Sequence, residues 1–259
     1  MSDTEQIRHF MQQLATSIGK ELCLEVYDAD ICLITGTDFT YQIYIYLAGA
    51  TERIKEPAHL KHNIHLDIDQ LERDERKIVD RIRTLDGQGK RIYARNTVAA
   101  RIDKRISMAF QEEYHLQDAM PGKYRYGLFA DGELISIAVF SGGRRMHDKP
   151  EDYRSFELIR FCHKQPYIVI GGISKLIRAF QQDFNPGDIM TYTDLDWAQE
   201  SGLERIGFEK SYTIPAQKYW IADQKRYFLS EKTEDLIMST YPTGYLKYNS
   251  GSAKLVLTL

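Results

Sequence analysis

The stretch "YIVIGGISKLIRAF", residues 167–180, decides how the rest of the chain is read. Tyr167 to Ile170 favour a buried strand, Gly171 and Gly172 follow, and a helical pattern starts at once with Ser174 and Lys175 in its first turn. Ile173, Leu176, Ile177 and Phe180 recur at helical spacing, so one face of this helix packs on a sheet and holds the turn in place. A helix N-terminus leaves about four backbone N–H groups without partners, and together with the axial dipole they attract an anion. The glycines let a phosphate approach the backbone, Ser174 adds a hydroxyl, and Lys175 or Arg178 adds charge. The expected phosphate loop is therefore Ile170, Gly171, Gly172, Ile173, Ser174 and Lys175. The competing reading is a tight strand-to-helix turn with Ser174 as its cap.

The chain has 259 residues, 43% of them hydrophobic, enough for one large domain or two unequal ones. A net charge of -3 excludes a global basic field, so any nucleic-acid surface must be a local patch. Residues 141–180 hold eight Lys/Arg against four acids, while 183–209 hold one Arg and seven acids. The first segment suits phosphates, including those of a nucleic acid; two solvated faces would look the same. Three cysteines at unpatterned spacing point to free thiols in a reducing compartment, and the polar N-terminus lacks signal-peptide character. The expectation is a cytoplasmic protein without a membrane segment.

Before residue 91 the pattern is a small α/β unit. "TEQIRHFMQQLATSIG" (4–19) reads as a helix ending on Gly19; "ELCLEVYDADICLITG" (21–36) and "YQIYIYLAG" (41–49) read as two or three antiparallel strands. "DIDQLERDERKIVDRIRTLDG" (67–87) is a second helix, with Asp69/Arg73 and Glu72/Arg76 as surface pairs. The glycines at 87 and 89 mark the boundary between domains 1–90 and 91–259. "HLKHNIH" (59–65) spaces His59, His62 and His65 three apart, but Pro57 and the lack of a nearby Cys favour a loop over a metal site.

The second part runs strand, helix, hairpin, strand, helix, strand, helix, strand, with Asp131-Gly132 as the hairpin turn. This order, the glycine loop, and "RIGFEK" (205–210) resemble the GNAT acyltransferase fold, the acyl-CoA N-acyltransferases. More narrowly, "FQEEYHLQ", "YGLFADGELISIAVF", "FELIRFCHK", "VIGGISKLIRAF", "TYTDLDW" and "GFEK" occur in an order similar to a GNAT-like domain of phage and mobile-element proteins related to the Mom DNA-modification proteins. The resemblance covers residues 91–259 and leaves 1–90 without a role. It implies a mixed, mostly antiparallel sheet flanked by helices, behind a small α/β domain. It also implies that acetyl-CoA or a related acyl-CoA binds at the glycine loop. The tyrosine that such enzymes often place four residues before the "GF" glycine is Leu203 here. Candidates to replace it are Tyr192 and Asp194 on the "MTYTD" strand, Glu157 on "FELIRF", and His115. Two functions remain open: an N-acyltransferase of unknown acceptor, or a catalytically degenerate module that recognises nucleic acid or a protein partner.

Overall fold

A computed structural model describes residues 2–54, 62–197 and 202–259. Helix α1 (Asp3–Ile18) starts at a Ser2 capping box and stops at Gly19, whose φ of 66° is left-handed. Ile7, Phe10, Leu14 and Ile18 form its buried stripe. Strands β1 (Leu22–Asp28), β2 (Ile31–Gly36) and β3 (Tyr41–Tyr46) are antiparallel neighbours, as expected. A fourth strand, β4 (His62–Asp67), pairs parallel to β3. The "HLKHNIH" stretch therefore enters a strand where a loop was expected; Ile64 and Leu66 are fully buried and supply the alternation. His59 lies outside the described residues.

Helix α2 (Ile68–Leu85) buries Leu71, Ile78, Val79 and Ile82. Its expected surface pairing differs. Asp69 turns inward to Arg226, Arg73 binds Asp74, and Arg76 lies 4.0 Å from Asp80.

From residue 87 follow β5 (Lys90–Tyr93), a 3-10 turn (Ala94–Asn96), β6 (Val98–Arg101) and α3 (Lys104–Tyr114). Then come β7 (Tyr124–Ala130), β8 (Glu133–Phe140), β9 (Arg144–Arg145), β10 (Arg154–His163), β11 (Tyr167–Ile170), α4 (Gly172–Phe184) and β12 (Asp188–Asp194). The β7–β8 hairpin turns on Asp131 and Gly132, with φ of 48° and 82°, the conformation that Asp-Gly favours. The described residues form 3-10 turns at Leu195–Trp197 and Glu204–Ile206, and 198–201 lie outside them. The chain ends with β13 (Glu209–Ile214), β14 (Lys218–Ala222), β15 (Lys225–Phe228), α5 (Glu234–Thr240), β16 (Tyr245–Tyr248) and β17 (Ser252–Thr258).

The large sheet has the order β13-β17-β12-β10-β8-β7-β6, with β9 paired to β10. It is mixed: β6, β7, β8 and β10 are successively antiparallel, and β10 and β12 are parallel. Its core centres on Phe180 of α4, which stacks on Phe140 at 4.0 Å and meets Phe156 edge-on at 5.0 Å. The fold class is thus mixed α/β, a sheet flanked by helices. Among the described residues, no helix is long and apolar enough to cross a membrane.

Two compact units emerge. One comprises Met1–Asp86, Asp194–Glu200 and Thr213–Ala253; the other comprises Gly87–Thr193, Ser201–Tyr212 and Lys254–Leu259. The first unit gathers residues 213–253 together with the start of the chain. The reason lies in its ionic core. Asp67, fully buried, receives both outer nitrogens of Arg53 (2.6 and 3.0 Å), and Arg53 also clamps Asp196 (3.0 and 2.8 Å). Arg226 bridges Asp67 and Asp69, and Lys247, fully buried, sits 3.7 Å from Asp67 while donating to the carbonyls of Leu47 and Ala50. Burial pushes the Asp67 carboxyl up, but Arg53, Arg226 and Lys247 outweigh it and hold the group well below the usual carboxylate range.

A buried charge left without its partners is strongly destabilising. Two outcomes are expected. Arg226→Ala costs about 3–5 kcal/mol in urea unfolding, and a fragment of residues 1–90 shows no cooperative transition by circular dichroism. A fragment that melts cooperatively would show that 213–253 is dispensable.

Candidate functional site

Parallel strands β10 and β12 pair only at Ser155–Asp188, Phe156–Ile189 and Glu157–Met190. Past that point the Thr191 hydroxyl donates to Leu158 O at 2.8 Å, and β10 continues along β8. The chain after β10 turns into β11, which pairs in parallel with β5 and not with the main sheet. This register, Tyr167–Lys90 to Ile170–Tyr93, carries the turn after Tyr93 to the start of α4.

Gly171 caps α4 with φ 75°, a conformation that disfavours a side chain, and its carbonyl accepts the Lys175 N–H at 3.1 Å. The N–H groups of Gly172, Ile173 and Ser174 have no acceptor within the helix, by helix geometry. Gly172 is tightly placed: a Cβ there would sit 3.1 Å from Val169 Cγ1 and 3.3 Å from His163 Cε1. Ile173, Leu176, Ile177 and Phe180 pack on the apolar core, while Ile170 is largely exposed. Along the opposite side of the helix runs a cleft of about 430 Å³, lined by Ala94, Arg95, Gly171, Ser174, Lys175 and Arg178 among others. Lys175 is tethered: its ammonium donates to Ala94 O (2.9 Å) and to Thr97 O. The Arg95 guanidinium lies 4.8 Å from the Tyr93 ring centroid, and Arg178 is exposed.

Of the candidate catalytic residues, Tyr192 and Glu157 are electrostatic neighbours. Tyr192 is 39% exposed, and its phenol is raised above its ordinary pKa by a hydrogen bond with Tyr212, by burial, and by Glu157; Arg144 opposes the shift. His115 and Asp194 have other partners. His115 ends α3, and its Nδ1 accepts the Gln117 N–H at 3.0 Å. Asp194 belongs to the first unit; its Oδ1 accepts the Asp196 N–H at 3.0 Å, closing a turn. Burial, with the Asp196 carboxylate adding to it, pushes its carboxyl up to about 6. Leu203 packs against the apolar core of the second unit.

The eight basic residues of 141–180 have varied partners: Arg145 pairs with Glu151, Lys164 with Glu133, and Arg160 donates to Asp118 O. Three contributors went unread in the sequence. Arg95 reaches the cleft only through the long-range β5–β11 register, and Tyr212 only through the position of β13 in the sheet order. His163, beneath Gly172, bonds Ser136 Oγ at 2.9 Å and is pushed down to about 4 by burial, so it is neutral at physiological pH. Among the described residues, no group of three or more His, Cys, Asp or Glu could hold a metal ion; His65 instead bonds the Tyr46 hydroxyl at 2.8 Å.

No protein-family model matches the chain, and no curated protein matches it. Several solved structures are similar to it. A GNAT family acetyltransferase from Elizabethkingia anophelis, with acetyl-CoA bound, is 12% identical, covering 63% of this chain and 99% of its own at a TM-score of 0.36. The ribosomal-protein-S18-alanine N-acetyltransferase from Escherichia coli is 9% identical, covering 62% and 93% at a TM-score of 0.40. The IAA acetyltransferase from Bacillus cereus is 14% identical, covering 63% and 99% at a TM-score of 0.33. All three are acetyltransferases by name, and the first is of the GNAT family.

Proposed function

We propose that this chain is a GNAT-like N-acyltransferase that takes acetyl-CoA or a related CoA thioester, with an amine acceptor that is still to be identified. The observation that carries the reading is the N-terminus of α4, capped by left-handed Gly171 and opening onto a cleft that Arg95 and Arg178 border. A pyrophosphate requires donors and positive charge, and both are present: the N–H groups of residues 172–174, the Ser174 hydroxyl and two arginines. Lys175 serves as a tether, since its ammonium already serves two carbonyls. The bound thioester would supply the activated acyl group.

What the chain itself contributes follows from the strands. Tyr192, kept protonated above its ordinary range, holds a proton for the departing thiolate, and the Glu157 carboxylate beside it accepts one from the amine. The order of sequence motifs further supports the Mom-related, mobile-element type. One observation favours the second reading, a binding module without catalysis: Leu203 is an apolar packing residue at the position where the resembled enzymes often carry a tyrosine.

Ser174→Glu separates site from fold. A carboxylate in the first turn favours the helix but repels a phosphate, so the variant should keep its Tm while losing CoA binding. In the unchanged protein, acetyl-CoA at 100 times its Kd should add about 2.7 kcal/mol. No stabilisation of the parent protein, or equal stabilisation of the folded variant, contradicts the site. Tyr192→Phe should lower turnover by about 10² to 10⁴-fold with CoA binding intact. If the parent binds CoA yet transfers no acyl group to peptides, polyamines or DNA, the module reading replaces the enzyme.

A further inference from the structure

The first unit contains an arginine that nothing so far has used. Arg81, on the buried side of α2, lies with its guanidinium carbon 4.4 Å from the Trp197 ring centroid. Its Nε is out of solvent and without a hydrogen-bond partner, and among the described residues its guanidinium makes no hydrogen bond or ion pair. Burial lowers its pKa, opposed by the nearby Asp194 carboxylate.

Asp194 is equally underused. Its Oδ1 accepts one backbone N–H, and its Oδ2 has no partner among the described residues. The contrast with Asp196, two residues on, is sharp. Asp196 is saturated by Arg53, by the Ser250 N–H at 2.9 Å and by the Ser250 hydroxyl at 2.6 Å. Arg81 and Asp194 are each intermediate in exposure, and Trp197 is buried. Burial, with the Asp194 charge adding to it, raises the phenol of Tyr219 on β14. A guanidinium nitrogen that is buried without an acceptor costs free energy unless something accepts from it.

We infer that Arg81, Asp194 and Trp197 form a small-ligand site, one that takes an oxyanion adjacent to an N–H or ammonium donor: the oxyanion on the Arg81 fork, the donor on Asp194 Oδ2. Carboxylate and phosphate present the same acceptor geometry to a guanidinium. The site lies within the first unit and stands whether or not CoA binds the second.

The test uses the full chain labelled with ¹⁵N and follows the two indole N–H signals. Trp197 reports the site; Trp220, whose N–H donates to Tyr241 O at 2.8 Å, is the internal control. Four probes are titrated: acetate and inorganic phosphate as bare oxyanions, glycine and phosphoethanolamine as oxyanions carrying an ammonium. The expected result is a saturable shift of the Trp197 signal alone, with the ammonium-bearing probes tightest; the better of the two names the oxyanion. Arg81→Gln should weaken binding about 10- to 100-fold, the worth of hydrogen bonds to a charged group. Asp194→Asn should abolish the advantage of the ammonium probes while leaving bare oxyanions bound. That advantage should also fade as pH drops through about 6, where Asp194 gains its proton. The other groups facing it are Arg81 of α2, Asp196, Tyr219 of β14 and Arg53. No saturable Trp197 shift with any probe, or an unchanged shift in folded Arg81→Gln, overturns the site. Arg81→Lys, which keeps the charge but loses the fork, covers the case in which Arg81→Gln fails to fold: it too must weaken binding, and unchanged affinity counts against the assignment.

Discussion

Helix α4 is pinned at two places, and the site depends on both. Toward its C-terminal end, Phe180 is fully buried, stacked on Phe140 and bracketed by Phe156, Phe184 and Tyr126. At its start, Lys175 ties the first turn to the carbonyls of Ala94 and Thr97. Aromatic pairs of this kind contribute beyond their area burial, and two anchors more than one turn apart leave the helix little freedom to tilt. The unpaired N–H groups of residues 172–174 are therefore aimed by the core. A loop alone would let them wander.

That arrangement was legible in part. The apolar spacing from Ile173 to Phe180, the glycine pair before it and the Asp131-Gly132 turn are local signals, and local chemistry decided each of them. What escaped the sequence is long-range. Arg95 meets α4 only because β5 pairs with β11, more than seventy residues later. Asp69 looked like one half of a surface pair, since an i,i+4 arginine was available, but a half-buried Arg226 from the far end of the chain takes that arginine's place. No spacing rule can reveal a partner that distant. The same ionic core explains why residues 213–253 belong with the beginning of the chain.

Asp194 and Tyr192 show how environment overrides motif. Two residues apart on "MTYTD", they read alike as catalytic candidates. In the structure, the Tyr192 phenol answers to Tyr212 and Glu157, while Asp194 answers to Asp196 and Arg81. One strand thus serves two units, each with its own electrostatic setting. Two candidates on one strand thus differ in burial and in partners.

The central claim is that the N-terminus of α4 receives the pyrophosphate of a CoA thioester. Backbone amide chemical shifts, recorded as coenzyme A is titrated into ¹⁵N-labelled protein, test it most directly. The account predicts that the largest saturable shifts fall on Gly171, Gly172, Ile173 and Ser174, with Arg95 and Arg178 following. Saturable binding that leaves these amides in place, or no binding at all, would contradict it.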